Sequence, residues 1–230
     1  MIILIGASSD IGKELLPRLL ENNQVLGTSR NCADLKEFKD NENFSCISLD
    51  LTSQESVEEF CEHLSTINEK ITYINLSSIS VDKLFLNYAQ DEWDRVINVN
   101  VSSSLKILQR LIPVMMRSGW GRIIHVSSVV AQSSVVGASA YSASKAAVIA
   151  MTRSLAHEYG RMGITANTIV LGYFNTGLIH SLDEERQRKI LDRIPSRKFG
   201  QCEDIFYAIE HITKSDYLNG SEITIDGGLM

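Results

Sequence analysis

Proline is scarce in this chain, and no stretch of sequence resembles a linker. Only Pro17, Pro113 and Pro195 occur among 230 residues, without a low-complexity segment or an internal repeat. Boundaries between domains are usually rich in proline, glycine or polar residues. The sequence therefore predicts one domain over residues 1–230, which is long enough to bury one sizeable core.

Cysteine is also scarce, and its spacing argues against two kinds of stabilising site. Cys32, Cys46, Cys61 and Cys202 form no Cys-x-x-Cys pair and stand beside no histidine cluster. Disulfide-stapled domains and zinc sites depend on such clusters. We therefore expect no metal site, no disulfide framework and reduced thiols.

Two further absences concern nucleic acids and membranes. The formal net charge is -6, so the basic stripe that nucleic-acid binding requires is missing. No apolar run approaches the ~18 residues of a membrane span. No positively charged residue precedes the apolar run 2–5, and the run is too short for a signal peptide, so it predicts a buried strand. We expect a cytoplasmic protein without a nucleic-acid or membrane partner.

What the chain does contain is an alternation of β-branched apolar runs with longer amphipathic stretches. Such alternation predicts parallel βαβ units, and continuous apolar strands indicate helices on both faces of the sheet. The expected fold class is α/β, a doubly wound seven-stranded parallel sheet. The predicted strands are 2–5, 24–28, 44–49, 71–76, 122–127, 165–170 and 222–225. The main predicted helices are 11–21, 54–68, 91–117, 139–161 and 203–214.

One connection is unusually long. The segment 173–196 exceeds the usual length of a loop between a strand and a helix, and it carries a charged helical patch at 183–192. We interpret it as a lid or substrate loop. The alternative is a solvated surface helix.

The first predicted strand is followed by a turn of small residues. Small residues let the backbone approach a pyrophosphate, and a helix N-terminus offers free N–H groups and a positive dipole end. Only two glycines of a Gly-x-Gly-x-x-Gly pattern are present, so the turn alone is a weak signal. It reads Gly6-Ala7-Ser8-Ser9-Asp10-Ile11-Gly12.

Polar or small residues follow each of the next five predicted strands. Ligands of open parallel sheets bind beyond these carboxyl ends. Any one residue could be an ordinary helix cap or turn residue, but their joint placement favours a dinucleotide groove. The residues are Ser29, Arg30, Asp50, Asn75, Ser127, Ser128 and Gly172.

Tyr141 and Lys145 are four residues apart, which places them on one face of a helix. A lysine ammonium beside a phenol favours the phenolate and lowers the phenol pKa from its usual ~10. Tyr141 is therefore a candidate general acid and base, and Ser128 could polarise a carbonyl. Such a pair also arises by chance, so the surrounding motifs decide its meaning.

Taken together, these residues resemble the short-chain dehydrogenase/reductase family over essentially the whole chain, which implies a single-domain Rossmann fold. The active-site tetrad of that family falls on Asn100, Ser128, Tyr141 and Lys145. The cofactor-binding positions that the resemblance implies are Gly6, Ser8, Ser9, Ile11, Gly12, Ser29, Arg30, Asp50, Leu51, Asn75, Tyr141, Lys145, Gly172, Phe174 and Thr176.

This chain departs from the family pattern at several places. Asp10 replaces the middle glycine of the turn, and we expect it to point away from the phosphates and to cap the first helix. After Asn75, the residues Leu76-Ser77-Ser78 replace Asn-Ala-Gly, and Leu171 replaces a proline. We expect these changes to alter cofactor affinity and loop detail more than the chemistry.

The end of the second strand bears on the choice between cofactors. An acidic residue there would select NAD by holding the ribose hydroxyls, whereas this chain has Ser29 and Arg30. A guanidinium pairs bidentately with a phosphate, so NADP is favoured over NAD. Against this, Ser9 occupies the family's other basic position, and Arg30 could be a solvated surface residue.

The resemblance implies hydride transfer between nicotinamide C4 and a carbonyl carbon. Tyr141 would donate a proton to the developing alkoxide, and Ser128 would hydrogen-bond the carbonyl oxygen. Lys145 would hold the ribose hydroxyls and lower the pKa of Tyr141, while Asn100 would hold a water of a proton relay. His125, in the fifth strand, is interpreted as structural.

The predicted substrate wall comprises 78–82, 129–137 and the lid from Tyr173, and it is mostly small or apolar. That favours a neutral or acyl-like carbonyl compound, and the similarity is greatest to 3-oxoacyl-(acyl-carrier-protein) reductases. A carrier-protein partner would need a basic patch, for which Arg117, Arg122 and Arg161 are the candidates. The alternatives are a small alcohol, sugar or secondary-metabolite ketone as substrate, or a non-catalytic cofactor-binding protein.

The same resemblance implies a homo-oligomer, a tetramer or dimer formed through the fourth and fifth helices. The long, apolar-striped predicted helices 91–117 and 139–161 are compatible with it.

Overall fold

A computed structural model describes residues 1–180 and 182–230 of the chain. Over this part of the chain, seven parallel strands form one sheet in the order β3-β2-β1-β4-β5-β6-β7. The doubly wound α/β prediction is confirmed, and each strand begins and ends within one residue of its predicted limits. The strands are β1 Ile2–Ile5, β2 Val25–Ser29, β3 Phe44–Ser48, β4 Ile71–Asn75, β5 Gly121–Ser128, β6 Ile164–Leu171 and β7 Glu222–Ile225.

Helices lie on both faces of the sheet, and none that the structure describes is long and apolar enough to cross a membrane. They connect successive parallel strands, as parallel pairing requires, except that a 3-10 helix, Cys32–Phe38, joins β2 to β3. The helices are α1 Asp10–Leu20, α2 Gln54–Leu64, α3 Gln90–Ile97, α4 Ser103–Ser118, α5 Ser139–Tyr159, α6 Gly177–His180, α7 Glu184–Arg193 and α8 Cys202–Lys214.

The side chains of β1 alternate between two apolar layers, because successive strand residues point to opposite faces. Ile3 and Ile5 pack in the layer that contains α2 and α4. Ile2 and Leu4 pack in the layer that contains α1 and α8. Burying one such side chain contributes about 1.5–3 kcal/mol, so the sheet is held firmly from both faces. The direction of winding reverses between β1 and β4, and a crevice opens there at the carboxyl edge.

The helix predicted over 91–117 is interrupted. A π-helical turn, Asn98–Ser102, separates α3 from α4. Asparagine, serine and β-branched residues are weak helix formers, and π turns often occur at functional sites. The turn places Asn100, which is 2% exposed, against the loop that follows β4.

The prediction of no disulfide is wrong for one pair of cysteines. Cys32, just after β2, is joined to Cys46 of β3, with a Cα–Cα distance of 5.9 Å. The two strands are adjacent in the sheet, so the pairing depends on strand register, which cysteine spacing does not reveal. Cys61 and Cys202 are free and buried.

The connection 173–196 contains α6 and α7, and residue 181 of this predicted lid lies outside the described residues. Its start is tied to the body of the protein by a bridge between Phe174 and Gly200. Helix α7 begins after Asp183, whose side chain accepts a hydrogen bond from the Arg186 N–H group.

Candidate active site

The turn after β1 depends on two glycines. Gly6 has a φ of +81°, and a Cβ atom there would lie 2.5 Å from Ser77 Oγ. A Cβ atom at Gly12 would lie 2.5 Å from the carbonyl oxygen of Ala7. At Gly6 only glycine fits both the backbone conformation and the close approach, and at Gly12 only glycine leaves room for the Ala7 carbonyl. The Gly6 N–H group donates to Thr28 Oγ1 at 3.1 Å, so the turn is fixed to the end of β2.

Ser9, rather than Asp10, caps α1. Ser9 Oγ accepts a hydrogen bond from the Gly12 N–H group at 3.1 Å and donates to the Gly6 carbonyl at 2.7 Å. The prediction that Asp10 caps the helix is therefore wrong. Asp10 is the exposed first residue of α1 and is one of the residues that line the adjacent cavity, and the expectation that it points away from bound phosphates stays a prediction. Its carboxylate stabilises the helix N-terminus but opposes a nearby phosphate.

A cavity of about 480 Å³ opens beside this turn. Its donors suit a dinucleotide: serine hydroxyls, the start of α1 and a guanidinium. The predicted cofactor residues that line it are Gly6, Ser8, Ser9, Ile11, Ser29, Arg30, Asp50, Leu51 and Thr176. Further residues that were not predicted as cofactor contacts line this cavity; most are neighbours of predicted strand ends, and two of them, Ser78 and Ile79, belong to the predicted substrate wall. These further residues are Thr28, Leu49, Thr52, Leu76, Ser77, Ser78, Ile79 and Val99.

Two predicted cofactor residues do not line this cavity but support it. Gly12 packs beneath the turn, as described above. Asn75 is buried; its Oδ1 accepts from the Ser77 N–H group at 2.9 Å, and its Nδ2 donates to Ser104 Oγ at 2.7 Å. Both therefore shape the wall of the cavity from behind.

Arg30 and Asp50 lie where the cavity meets β2 and β3. Asp50 accepts hydrogen bonds from the Thr52 hydroxyl at 2.7 Å and the Thr52 N–H group at 2.8 Å. These bonds hold the pKa of Asp50 below its usual value, and the Arg30 guanidinium lowers that pKa further. Arg30 is exposed, so it can reach an anion bound at this end.

A second cavity of about 430 Å³ is lined by further predicted residues. Ser128, Tyr141, Lys145, Gly172 and Phe174 all line it. The two cavities share part of their lining, so they form one cleft. The shared residues are Ile11, Leu76, Ser78, Ile79 and Thr176.

Lys145 lies beside Tyr141, as their spacing predicts. Its Nζ atom is 5.5 Å from the centroid of the Tyr141 ring and donates to the Val126 carbonyl at 2.8 Å. Ser127 Oγ donates to the Lys145 backbone carbonyl at 3.0 Å, which ties α5 to β5. Lys145 is 3% exposed, and this burial lowers its pKa to about 8.

The predicted lowering of the Tyr141 pKa by Lys145 is wrong for the protein without cofactor. Burial raises the pKa of Tyr141, the hydroxyls of Ser78 and Ser128 lower it, and the Asp82 carboxylate raises it. The reason is geometric, because the Lys145 ammonium donates to the Val126 backbone and stands over the ring.

Asn100 joins the loop after β4 to helix α5. Its Oδ1 accepts from the Ile79 N–H group, and its Nδ2 donates to the Ile79 carbonyl, both at 2.9 Å. Nδ2 also donates to Ser144 Oγ at 2.9 Å, and Ser144 Oγ donates to the Tyr141 carbonyl at 2.7 Å. The carboxamide thus positions both sides of the cleft, while its predicted role in holding a water stays a prediction.

His125 is buried in β5 and hydrogen-bonded, in agreement with a structural role. Its Nδ1 atom lies 2.9 Å from Thr152 Oγ1, and its ring packs edge-on against Tyr73. Burial, together with the Lys145 charge, lowers the pKa of His125 to about 3. The imidazole is therefore neutral at ordinary pH.

The basic residues proposed for a carrier protein do not surround the cleft. Arg122 starts β5, is 2% exposed and pairs with Asp216. Arg117 lies in the last turn of α4 and Arg161 lies just after α5, and these helix ends are at the amino edge of the sheet. The cleft lies at the carboxyl edge, so the prediction of this basic patch is wrong.

Comparisons with known proteins agree with this fold. A family model described as short chain dehydrogenase matches residues 1–187. Nodulation protein G of Azospirillum brasilense is 36% identical over 158 residues, covering 68% of this chain and 64% of that protein. The 3-oxoacyl-(acyl-carrier-protein) reductase FabG of Vibrio harveyi is 30% identical, covering 99% of this chain and 96% of that protein.

One solved structure extends the comparison to a bound cofactor. It is described as an NAD(P)-dependent gluconate 5-dehydrogenase from Beutenbergia cavernae, with bound NADP at low occupancy. It is 26% identical with a TM-score of 0.91, covering 99% of this chain and 95% of that chain.

Proposed function

Because this chain belongs to the short-chain dehydrogenase family and is an NAD(P)-dependent oxidoreductase, we propose that Ser128, Tyr141 and Lys145 catalyse its hydride transfer. The observation that carries the assignment is the junction of the two cavities. The first ends at the start of α1 and suits a dinucleotide, and the second is lined by the three polar side chains. When bound, the cofactor supplies or accepts the hydride.

The chain's own residues have separate roles in the reduction direction. Tyr141 gives its proton to the carbonyl oxygen as negative charge develops there. Ser128 donates a hydrogen bond to the same oxygen and stabilises that charge. Lys145, whose ammonium is already oriented by Val126, holds the ribose hydroxyls of the cofactor. Asn100 holds the loop after β4 and helix α5 in a fixed relative position.

We propose NADP as the preferred cofactor, with NAD as the alternative. Arg30 lines the first cavity directly after β2, where a guanidinium could bind the 2′-phosphate bidentately. The position that would need an acidic side chain for NAD is Ser29. The hydrogen bonds from Thr52 keep Asp50 ionised, and this carboxylate is close enough to Arg30 to weaken the binding of a 2′-phosphate by the guanidinium.

The proposed substrate is a neutral carbonyl compound, and a 3-oxoacyl thioester on a carrier protein is the first candidate. The similarity to the Vibrio harveyi reductase supports it, as does a cavity whose described lining carries one cationic side chain, Lys145. Asp82 at the same cavity disfavours an anionic sugar acid. A small alcohol, sugar or secondary-metabolite ketone is the second candidate.

We also propose a cytoplasmic homo-oligomer, a tetramer or dimer, in which residues 1–230 act as one catalytic domain and 173–196 as the substrate loop. Helices α4 and α5 would form the interface. Leu105 and Met116 on α4 are 52% and 43% exposed and line an apolar groove with α5. Sedimentation velocity gives the number of chains.

The function is tested by Tyr141→Phe. We expect this variant to bind NADPH as the wild type does and to lose turnover, because only the transferable proton is removed. NADPH oxidation is measured over a panel that contains an acetoacetyl thioester, a small ketone and a keto sugar acid. Tyr217→Phe is the matched control, since Tyr217 is 100% exposed.

Full activity of Tyr141→Phe would contradict the assignment. The non-catalytic alternative would be favoured if the wild-type protein quenches NADPH fluorescence, and so binds NADPH, but does not oxidise NADPH with any carbonyl compound of the panel.

A further inference from the structure

Ser78 occupies the junction of the cleft. It lines the first cavity with the α1 turn and the second with Tyr141 and Ser128. Its side chain is exposed to the cleft. The family pattern described above has a glycine at this position, whereas this chain carries a hydroxyl group.

The backbone on both sides of Ser78 is held by buried amide side chains. The Ser77 N–H group donates to Asn75 Oδ1 at 2.9 Å. The Ile79 N–H and carbonyl groups both bond to the Asn100 carboxamide at 2.9 Å. Asn75 and Asn100 are 5% and 2% exposed, so neither anchor moves easily. Ser78 is therefore presented from a fixed backbone.

The Asn100 carboxamide also fixes the backbone of Tyr141. Through Ser144 it reaches the backbone carbonyl of Tyr141, in bonds of 2.9 and 2.7 Å. One buried side chain thus sets the separation between the loop of Ser78 and the first turns of α5. Ser78, Ser128 and Tyr141 all line the second cavity, and Ser78 alone of the three also lines the first.

We propose that Ser78 is a positioning residue for Tyr141. Its hydroxyl donates a hydrogen bond to the phenol oxygen and orients it toward the carbonyl oxygen of the substrate. The inference rests on the proposed function of Tyr141. The Ser78 hydroxyl also lowers the pKa of Tyr141 and so opposes the larger effect of burial, because a donor stabilises the phenolate.

The test uses Ser78→Ala, Ser78→Gly and Ser78→Thr in the full chain. One hydrogen bond contributes about 0.5–1.5 kcal/mol, so kcat should fall roughly three- to tenfold in the alanine and glycine variants. The rise of alcohol oxidation with pH, which reports the phenolate, should move to higher pH in both variants. Threonine should restore the wild-type profile, and kcat should change more than NADPH affinity in the alanine and glycine variants.

Ser65→Ala is the matched control, because Ser65 is an exposed residue at the end of α2, outside the cleft. A pH profile of Ser78→Ala that superimposes on the wild type would overturn the inference while leaving the proposed function intact. A change confined to NADPH affinity would overturn it too, since Ser78 would then act on the cofactor. Loss of the proposed function would instead show as absent wild-type turnover.

Discussion

Lys145 Nζ donates to the carbonyl of Val126 at 2.8 Å, so the end of β5 holds the cation in place. Because the same Nζ lies over the Tyr141 ring, a strand and a helix together define the geometry of the pair. This preorientation leaves the cation's remaining N–H groups available for cofactor hydroxyls. It also buries a charge, with consequences for stability.

The first prediction concerns that buried charge. Burial lowers the pKa of Lys145 from 10.5 to about 8. Between these values the unfolded chain retains a proton that the folded chain has lost, so the free energy of unfolding rises with pH. At about 1.4 kcal/mol per pH unit, the gain across this window is about 3 kcal/mol.

Urea unfolding of the wild type and Lys145→Met between pH 7 and pH 11 measures this gain. The wild type should become more stable relative to the variant as pH increases through the window. A difference that does not change with pH would show that Lys145 has an ordinary pKa.

The strands and the Tyr141–Lys145 pair could be predicted because both depend on local periodicity. Apolar β-branched runs mark buried parallel strands, and a spacing of four residues places two side chains on one helical face. The turn at Gly6 could likewise be placed, since it follows a strand and precedes a helix. What these features share is that their partners are near in sequence.

The features that sequence analysis missed depend on contacts between distant segments. The Cys32–Cys46 bond follows from the pairing of β2 with β3. Arg122 reads as a surface residue, yet it is buried at the start of β5, with its guanidinium 4.4 Å from the Trp120 ring centroid. The carboxamide bonds of Asn100 require a π turn that the hydrophobic pattern does not reveal. Only the assembled sheet brings these groups together.

The second prediction concerns the disulfide. The bond joins residues 14 positions apart, and closing a loop of that size contributes about 3 kcal/mol by restricting the unfolded chain. Under oxidising conditions, Cys32→Ser should lose this amount in urea unfolding. With excess dithiothreitol, the wild type and the variant should have similar free energies of unfolding.

Thiol titration of the denatured wild type provides a direct check. Two of the cysteines are free, so two thiols should react before reduction and all four cysteines after it. Cys46→Ser is the matched variant, and it should lose the same free energy as Cys32→Ser. Four reactive thiols before reduction would show that the bond is absent.

The third prediction concerns the choice between NADP and NAD. Arg30 is the cationic side chain that lines the first cavity in the described part of the chain. A charge-assisted bidentate pair with a 2′-phosphate is worth roughly 1.5–3 kcal/mol. Because Arg30 is exposed and Asp50 competes for it, we expect the lower end of this range. Arg30→Ala should raise KM for NADPH about tenfold and change KM for NADH little.

Lys36→Ala is the matched control, because it removes one exposed positive charge from the segment after β2 without altering the cavity lining. A similar rise in KM for NADPH in both variants would indicate a diffuse electrostatic effect rather than a phosphate site at Arg30. An equal rise of KM for NADH and NADPH in Arg30→Ala would place the guanidinium on a part that both cofactors share, and the case for NADP would then fail.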